Sequence, residues 1–70
     1  MKLSYYSDTD SLYIDLSSRT SVVSREISEG VILDYDGAGN LVSLEILEAS
    51  RRVGLPTQIE YRMIPAGASP

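Results

Sequence analysis

The sequence predicts a mostly β fold of the α+β class: a small antiparallel β-meander of five to six strands, with one short helix after the fifth strand. Three observations carry this. Short runs rich in branched and aromatic residues recur along the 70 residues, several of them alternating apolar and polar with a period of two. Between the runs stand clusters of Asp, Gly, Asn and Ser, the residue types that build turns. One segment, Glu48 to Gly54, has acid at its start, base near its end and a glycine stop, which suits a helix macrodipole and a left-handed C-terminal cap.

Leu3–Tyr6 and Leu12–Leu16 form the first two strands, joined by Ser7-Asp8-Thr9-Asp10-Ser11. Those side chains bond readily to nearby backbone, so the joint is a turn and the pair a hairpin. In the second strand Leu12, Ile14 and Leu16 point one way and Tyr13 and Asp15 the other. Ser17 to Ser21 is an exposed connection.

Val22–Ile27 is the third strand, more polar than its neighbours, and it meets Val31–Tyr35 across Ser28-Glu29-Gly30. A three-residue loop with a bulge, using a positive φ at Gly30, sets Ile27 against Val31, Arg25 against Leu33 and Val23 against Tyr35. A two-residue loop instead sets Arg25 against Asp34, a favourable charge pair, and alternation leaves both registers open. The fourth and fifth strands belong to one run, Gly30 to Leu47, in which an Asp- and Gly-rich loop joins two apolar stretches. Val42, Leu44 and Ile46 share a face, and with Val31 and Leu33 they are the expected core. Beyond the helix, Thr57 to Ile64 alternates again with Ile59, Tyr61 and Met63 on one side. That segment is either a sixth strand or one that packs loosely or orders only in an oligomer. Residues 1–64 are read as a single β-rich domain and 65–70 as a flexible tail.

Composition narrows the function classes. A domain of this length buries only about 60% of its unfolded surface, and such scaffolds lean on disulfides, metals or partner subunits. With no Cys and no His, self-association, most simply as a homodimer, is the expected support. The lack of Cys fits a reducing compartment, and no apolar run has signal-peptide or membrane-spanning length, so the expected location is the cytoplasm with no membrane partner. A net charge of −4 argues against nucleic acid, whose binding draws on Lys and Arg, and suits docking to a basic protein.

The chemistry these residues allow is narrow. Without His or Cys there is no Ser-His-Asp triad, no Cys-His pair and no ordinary zinc site. The 11 Ser lack an activating base, because Lys2 is the only Lys and lies near a terminus. The tyrosines on strands read as half-buried packing residues. No catalytic residue and no cofactor is therefore expected. Asp34, Asp36 and Asn40 are the metal candidates, since Asp34-Tyr35-Asp36-Gly37-Ala38-Gly39 resembles the opening of Ca²⁺-wrapping loops. The pattern breaks at Val42, where such loops close with a carboxylate, and turn chemistry explains the composition without an ion. Asp34 and Glu45 on adjacent strands also form the carboxylate pair a divalent-metal hydrolase would use, but Leu47 stands where a nuclease of that kind carries Lys.

The order of residues is similar to a known family. Tyr6 with its Asp-rich turn, then Ser11 to Leu16, Arg25 to Asp36, and Leu44 to Ser50 resemble the small bacterial proteins of the domain of unknown function 2283 family, over roughly Leu3 to Val53. No catalytic motif comes with that resemblance. What it implies is an antitoxin-type role, by association with neighbouring toxin-like genes. The loop bearing both Gly37 and Gly39 departs from the family pattern by one extra residue. The leading functional reading is thus a noncatalytic protein-interaction module; the alternative is a carboxylate divalent-metal-binding protein or metal-dependent hydrolase.

Overall fold

The computed structural model describes residues 1–54 and 58–67. Five strands and one helix follow in chain order: β1 Lys2–Tyr6, β2 Ser11–Asp15, β3 Val23–Ser28, β4 Val31–Tyr35, β5 Leu41–Ile46 and α1 Ala49–Arg52. All strand pairs are antiparallel, in the order β1-β2-β5-β4-β3. The meander runs unbroken through β3, β4 and β5, and the β1–β2 hairpin joins it along the free side of β5. Consecutive β2 and β3 are therefore not neighbours. The chain between them passes the start of β5 and the end of β4, where Leu16 and Ser17 donate to the Val42 carbonyl and Val22 donates to Tyr35.

The β3–β4 turn resolves the two open registers by combining them. Ser28 pairs with Val31, which leaves a two-residue turn, yet Arg25 lies opposite Leu33 and Val23 opposite Tyr35, as a three-residue loop would have it. A bulge at Ile27 reconciles the two. The extra residue drops out of the ladder, so Ile27 does not face Val31 and is exposed. Without the bulge a two-residue turn would bring Arg25 to Asp34; with it, Ser24 takes that place.

Apolar side chains gather on the face that α1 covers. Leu12, Ile46 and Ala49 are buried together, with Tyr5, Ile14 and Leu44 packed against them. Val42 is buried as expected, but Val31 and Leu33 are only half-buried. The reason is coverage: the helix is one turn long, about 6 Å, and lies over the β1, β2 and β5 side. Asp10 fixes it there. Its carbonyl accepts from the Ala49 amide at 2.9 Å, its carboxylate accepts from the Ser50 amide and hydroxyl at 3.0 and 2.6 Å, and the Tyr5 hydroxyl donates to it at 2.6 Å. Asp10 thus satisfies helix N-terminal donors that Glu48, itself left-handed at φ 51°, leaves without a side-chain cap. Gly54, at φ +78°, follows the helix as the predicted left-handed stop.

Residues 58–64 form no strand and are exposed. Thr57 and Ser69, within the predicted sixth strand and tail respectively, lie outside the described residues, as do Leu55, Pro56, Ala68 and Pro70.

Gly30 carries the tightest steric demand of the turn. Its φ is +74°, its amide donates to a Glu26 carboxylate oxygen at 3.0 Å, and an added Cβ would sit 2.5 Å from Arg52 Nε. That nitrogen donates to the Leu47 carbonyl at 2.9 Å, so the helix end is pinned beside the turn. Gly30→Ala is expected to cost about 1–2 kcal/mol through the left-handed backbone alone, and more through the displaced Arg52. Urea unfolding of the two proteins measures it.

Candidate functional site

The face of the sheet opposite α1 is polar, and register explains why. Two rows cross it: Ser4, Tyr13, Glu45, Ile32 and Glu26 in one, Lys2, Asp15, Ser43, Asp34 and Ser24 in the other. Strand alternation places every member of these rows on one side. The sheet therefore brings Asp34 and Glu45 together on adjacent strands, one row apart, as the sequence pairing of the two requires.

Asp34 is buried, at 4% exposure. A carboxylate this enclosed must be hydrogen-bonded to be tolerated. Ser24 Oγ donates to one oxygen at 2.5 Å and Ser43 Oγ to the other at 2.6 Å. Burial pushes its pKa upward, but the bonds from Ser24, Ser43 and Glu45 outweigh burial and hold the carboxyl below the usual range. Glu45 shows the opposite balance: burial first, then the bond to Asp34 and that group's charge, raise its pKa, with a bond from Tyr13 opposing. Of the two carboxyls Glu45 is therefore the one that gives up its proton at the higher pH. Tyr13 in turn is raised, chiefly by its bond to Glu45, and its ring meets Tyr6 edge-on with centroids 5.5 Å apart.

The other metal candidates lie elsewhere. Asp36 turns into the β4–β5 loop, where one oxygen accepts from the amides of Ala38 and Asn40 at 3.0 and 2.8 Å and the other from the Asn40 side chain at 3.1 Å. Its pKa is lowered, first by the Asn40 amide, and Arg19 lies 3.7 Å away. Asp36 and Asn40 thus close their own turn and share no partner with Asp34. Among the described residues no group of three or more His, Cys, Asp or Glu side chains stands close enough to hold a metal ion.

A family profile, described as Protein of unknown function (DUF2283), matches residues 2–50. The chain belongs to this family. The DUF2283 match takes in all five strands and the first helical residues, so both polar rows, Asp10 and its contact at Ser50 fall inside it. No curated protein matches the chain, and no solved structure does. No helix among the described residues is long and apolar enough to cross a membrane.

Ser24 and Ser43 are the members of this constellation that sequence reading does not single out. Ser43 was legible in principle as the polar partner within an apolar strand, whereas Ser24 reaches Asp34 only because of the bulge at Ile27.

The two carboxyls give stability opposite pH dependences. Asp34, lowered in the fold, contributes stability above its ordinary pKa of 3.8 that is lost as pH falls through its folded value. Glu45, raised in the fold, contributes stability that is full below 4.5 and is lost as pH rises through its folded value. Glu45→Gln keeps a hydrogen-bond donor toward Asp34 without a second charge. It is expected to melt above the unsubstituted protein at pH 7, with the gap shrinking toward pH 4; an equal or lower melting temperature at pH 7 would mean that Glu45 ionises there at no cost.

Proposed function

We propose that this member of DUF2283 is a noncatalytic, cytoplasmic protein-interaction module that meets a basic partner with its polar sheet face, in the manner of an antitoxin. The observation that carries the reading is the charge of that face. Its strand rows bear the carboxyl groups of Asp15, Glu26 and Glu45, with Asp34 buried among them, against the single amine of Lys2. Such a face steers a cationic surface inward and disfavours like-charged ones. The inventory supports it as well: both Asp34 oxygens accept from serine hydroxyls, and the chain has no His or Cys to act as base, nucleophile or soft ligand.

The product of a neighbouring toxin-like gene is the partner to try. Co-expressed with it, the protein is expected to elute as a complex at low salt that weakens as salt rises, and the double reversal Asp15→Lys with Glu26→Lys is expected to release the partner while the fold persists by circular dichroism. A partner that binds the reversed protein equally well would rule out this face.

One observation favours the alternative of a carboxylate metal site, the adjacency of Asp34 and Glu45. With both Asp34 oxygens already accepting from Ser24 and Ser43, the pair offers a divalent ion little free coordination. Calorimetric titration with Mg²⁺, Mn²⁺ and Ca²⁺ is expected to give no saturable heat; a saturable isotherm that disappears in Asp34→Asn would establish the metal reading instead.

A further inference from the structure

On the face opposite the acidic one, the sheet is only half covered. Five strands at about 4.8 Å spacing span about 19 Å between the outer two, whereas α1 is a single turn lying over Leu12, Ile46 and their neighbours. The β3–β4 half is left open. Val23 is 46% exposed, and a shallow groove of about 420 Å³ runs from Val23, Arg25 and Tyr35 to Asp36, Gly37 and Gly39 of the β4–β5 loop. β3 is also an outer strand, paired on one side and exposed along its whole length. β1 is the other outer strand, but its Tyr5 is already packed beneath the helix. Among the described residues, only β3 joins an unpaired edge to an uncovered apolar surface.

The same chain carries a segment that fits this vacancy. Ile59, Tyr61 and Met63 alternate with Glu60 and Arg62, and they are 61%, 78% and 80% exposed. Within one chain neither surface covers the other. The total accessible surface is 5399 Å², against about 4,300 Å² for a compact monomer of this mass. The excess, on the order of 1,000 Å², is close to the roughly 800 Å² that each partner contributes to a standard interface. The radius of gyration agrees, at 13.9 Å against about 11 Å for a compact chain of this length.

We propose that two copies of this chain associate by reciprocal strand addition, the 58–64 segment of each lying along β3 of the other. In this arrangement Ile59, Tyr61 and Met63 lie beside Val23 and the aliphatic stem of Arg25, extending the apolar face that Leu33 and Tyr35 continue on β4, and the segment's backbone takes the free hydrogen-bonding groups of β3. Glu60 and Arg62, paired with each other, fall on the polar side of the edge. The bulge at Ile27 ends the pairing, because it removes one residue from the ladder and keeps the added strand short. Exchange of one segment for its equivalent gives a closed two-fold dimer in which neither copy's β3 edge is left unpaired.

The absence of native cysteine makes the test direct. Single variants Val23→Cys and Met63→Cys, tagged to differ in mass, are mixed and air-oxidised. A disulfide joining the two different variants, together with wild-type sedimentation at twice 7.7 kDa at micromolar concentration, is the expected result. Tyr61→Glu combined with Met63→Glu is expected to sediment as a monomer with an unchanged β-sheet circular dichroism spectrum. Three outcomes would overturn the proposal: a wild-type monomer, disulfides only between like variants, or a Val23→Cys/Met63→Cys double variant that closes its disulfide within one chain, which would mean that the segment docks on its own β3. None of these bears on the polar face, so binding of a basic partner there stands or falls separately.

Discussion

The structure is governed by a shortage of cover. A five-stranded sheet has two faces to hide, and the described residues assign a single helical turn to one and nothing to the other. The consequences differ by face. Beneath the helix the sheet buries Leu12 and Ile46 against the helix's own Ala49, and it is apolar there because burial of apolar area is the main favourable term available to a chain without disulfides. The uncovered face has no such option. It carries hydroxyls and carboxyls, and the one carboxylate that becomes buried is given a donor for each oxygen.

Asp34 shows how far that constraint reaches into the backbone. The carboxylate needs a hydroxyl from each neighbouring strand. β5 supplies Ser43 through regular pairing. β3 can supply Ser24 only if its register is shifted by one, and the bulge at Ile27 makes the shift. A feature that looks like an irregularity of an edge strand is thus tied to the satisfaction of a buried charge one strand away. Asp10 has a similar part at the other side of the sheet: one residue from the first turn holds Tyr5, Ala49 and Ser50, and the helix stays over the core because of it.

Much of this was legible in the sequence, and what was not has identifiable causes. Alternation gave the five strands to within a residue or so, and the charge order and glycine stop of Glu48 to Gly54 gave the helix. Periodicity describes one strand at a time, so it is silent on which strands become neighbours. The adjacency of β2 and β5 follows from the apolar faces of Leu12, Ile14, Leu44 and Ile46 seeking one another, a tertiary effect. The β3–β4 register was undecided for a related reason, since the competing Arg25–Asp34 pair and the observed Ser24–Asp34 bond are both locally reasonable. Val31 and Leu33 are apolar and on the correct face, yet half-buried, because burial depends on what lies above a residue and not on the residue. Of the candidate ligands, Asp34 and Glu45 share a face as their strands require, while Asp36 and Asn40 follow the turn chemistry that their glycines announce.

The strand order also has a kinetic meaning. β3, β4 and β5 are joined by short turns and can zip up from local contacts, and the β1–β2 hairpin can do the same by itself. Their union at β2 and β5 joins residues roughly thirty positions apart, such as Leu12 with Ile46, and the Asp10 clasp on Ser50 spans 40. Closing loops of that size has an entropic cost that arrives before the contacts that repay it. During synthesis the first hairpin must therefore wait, half its apolar face open to water, until the ribosome has released β5 and the helix behind it.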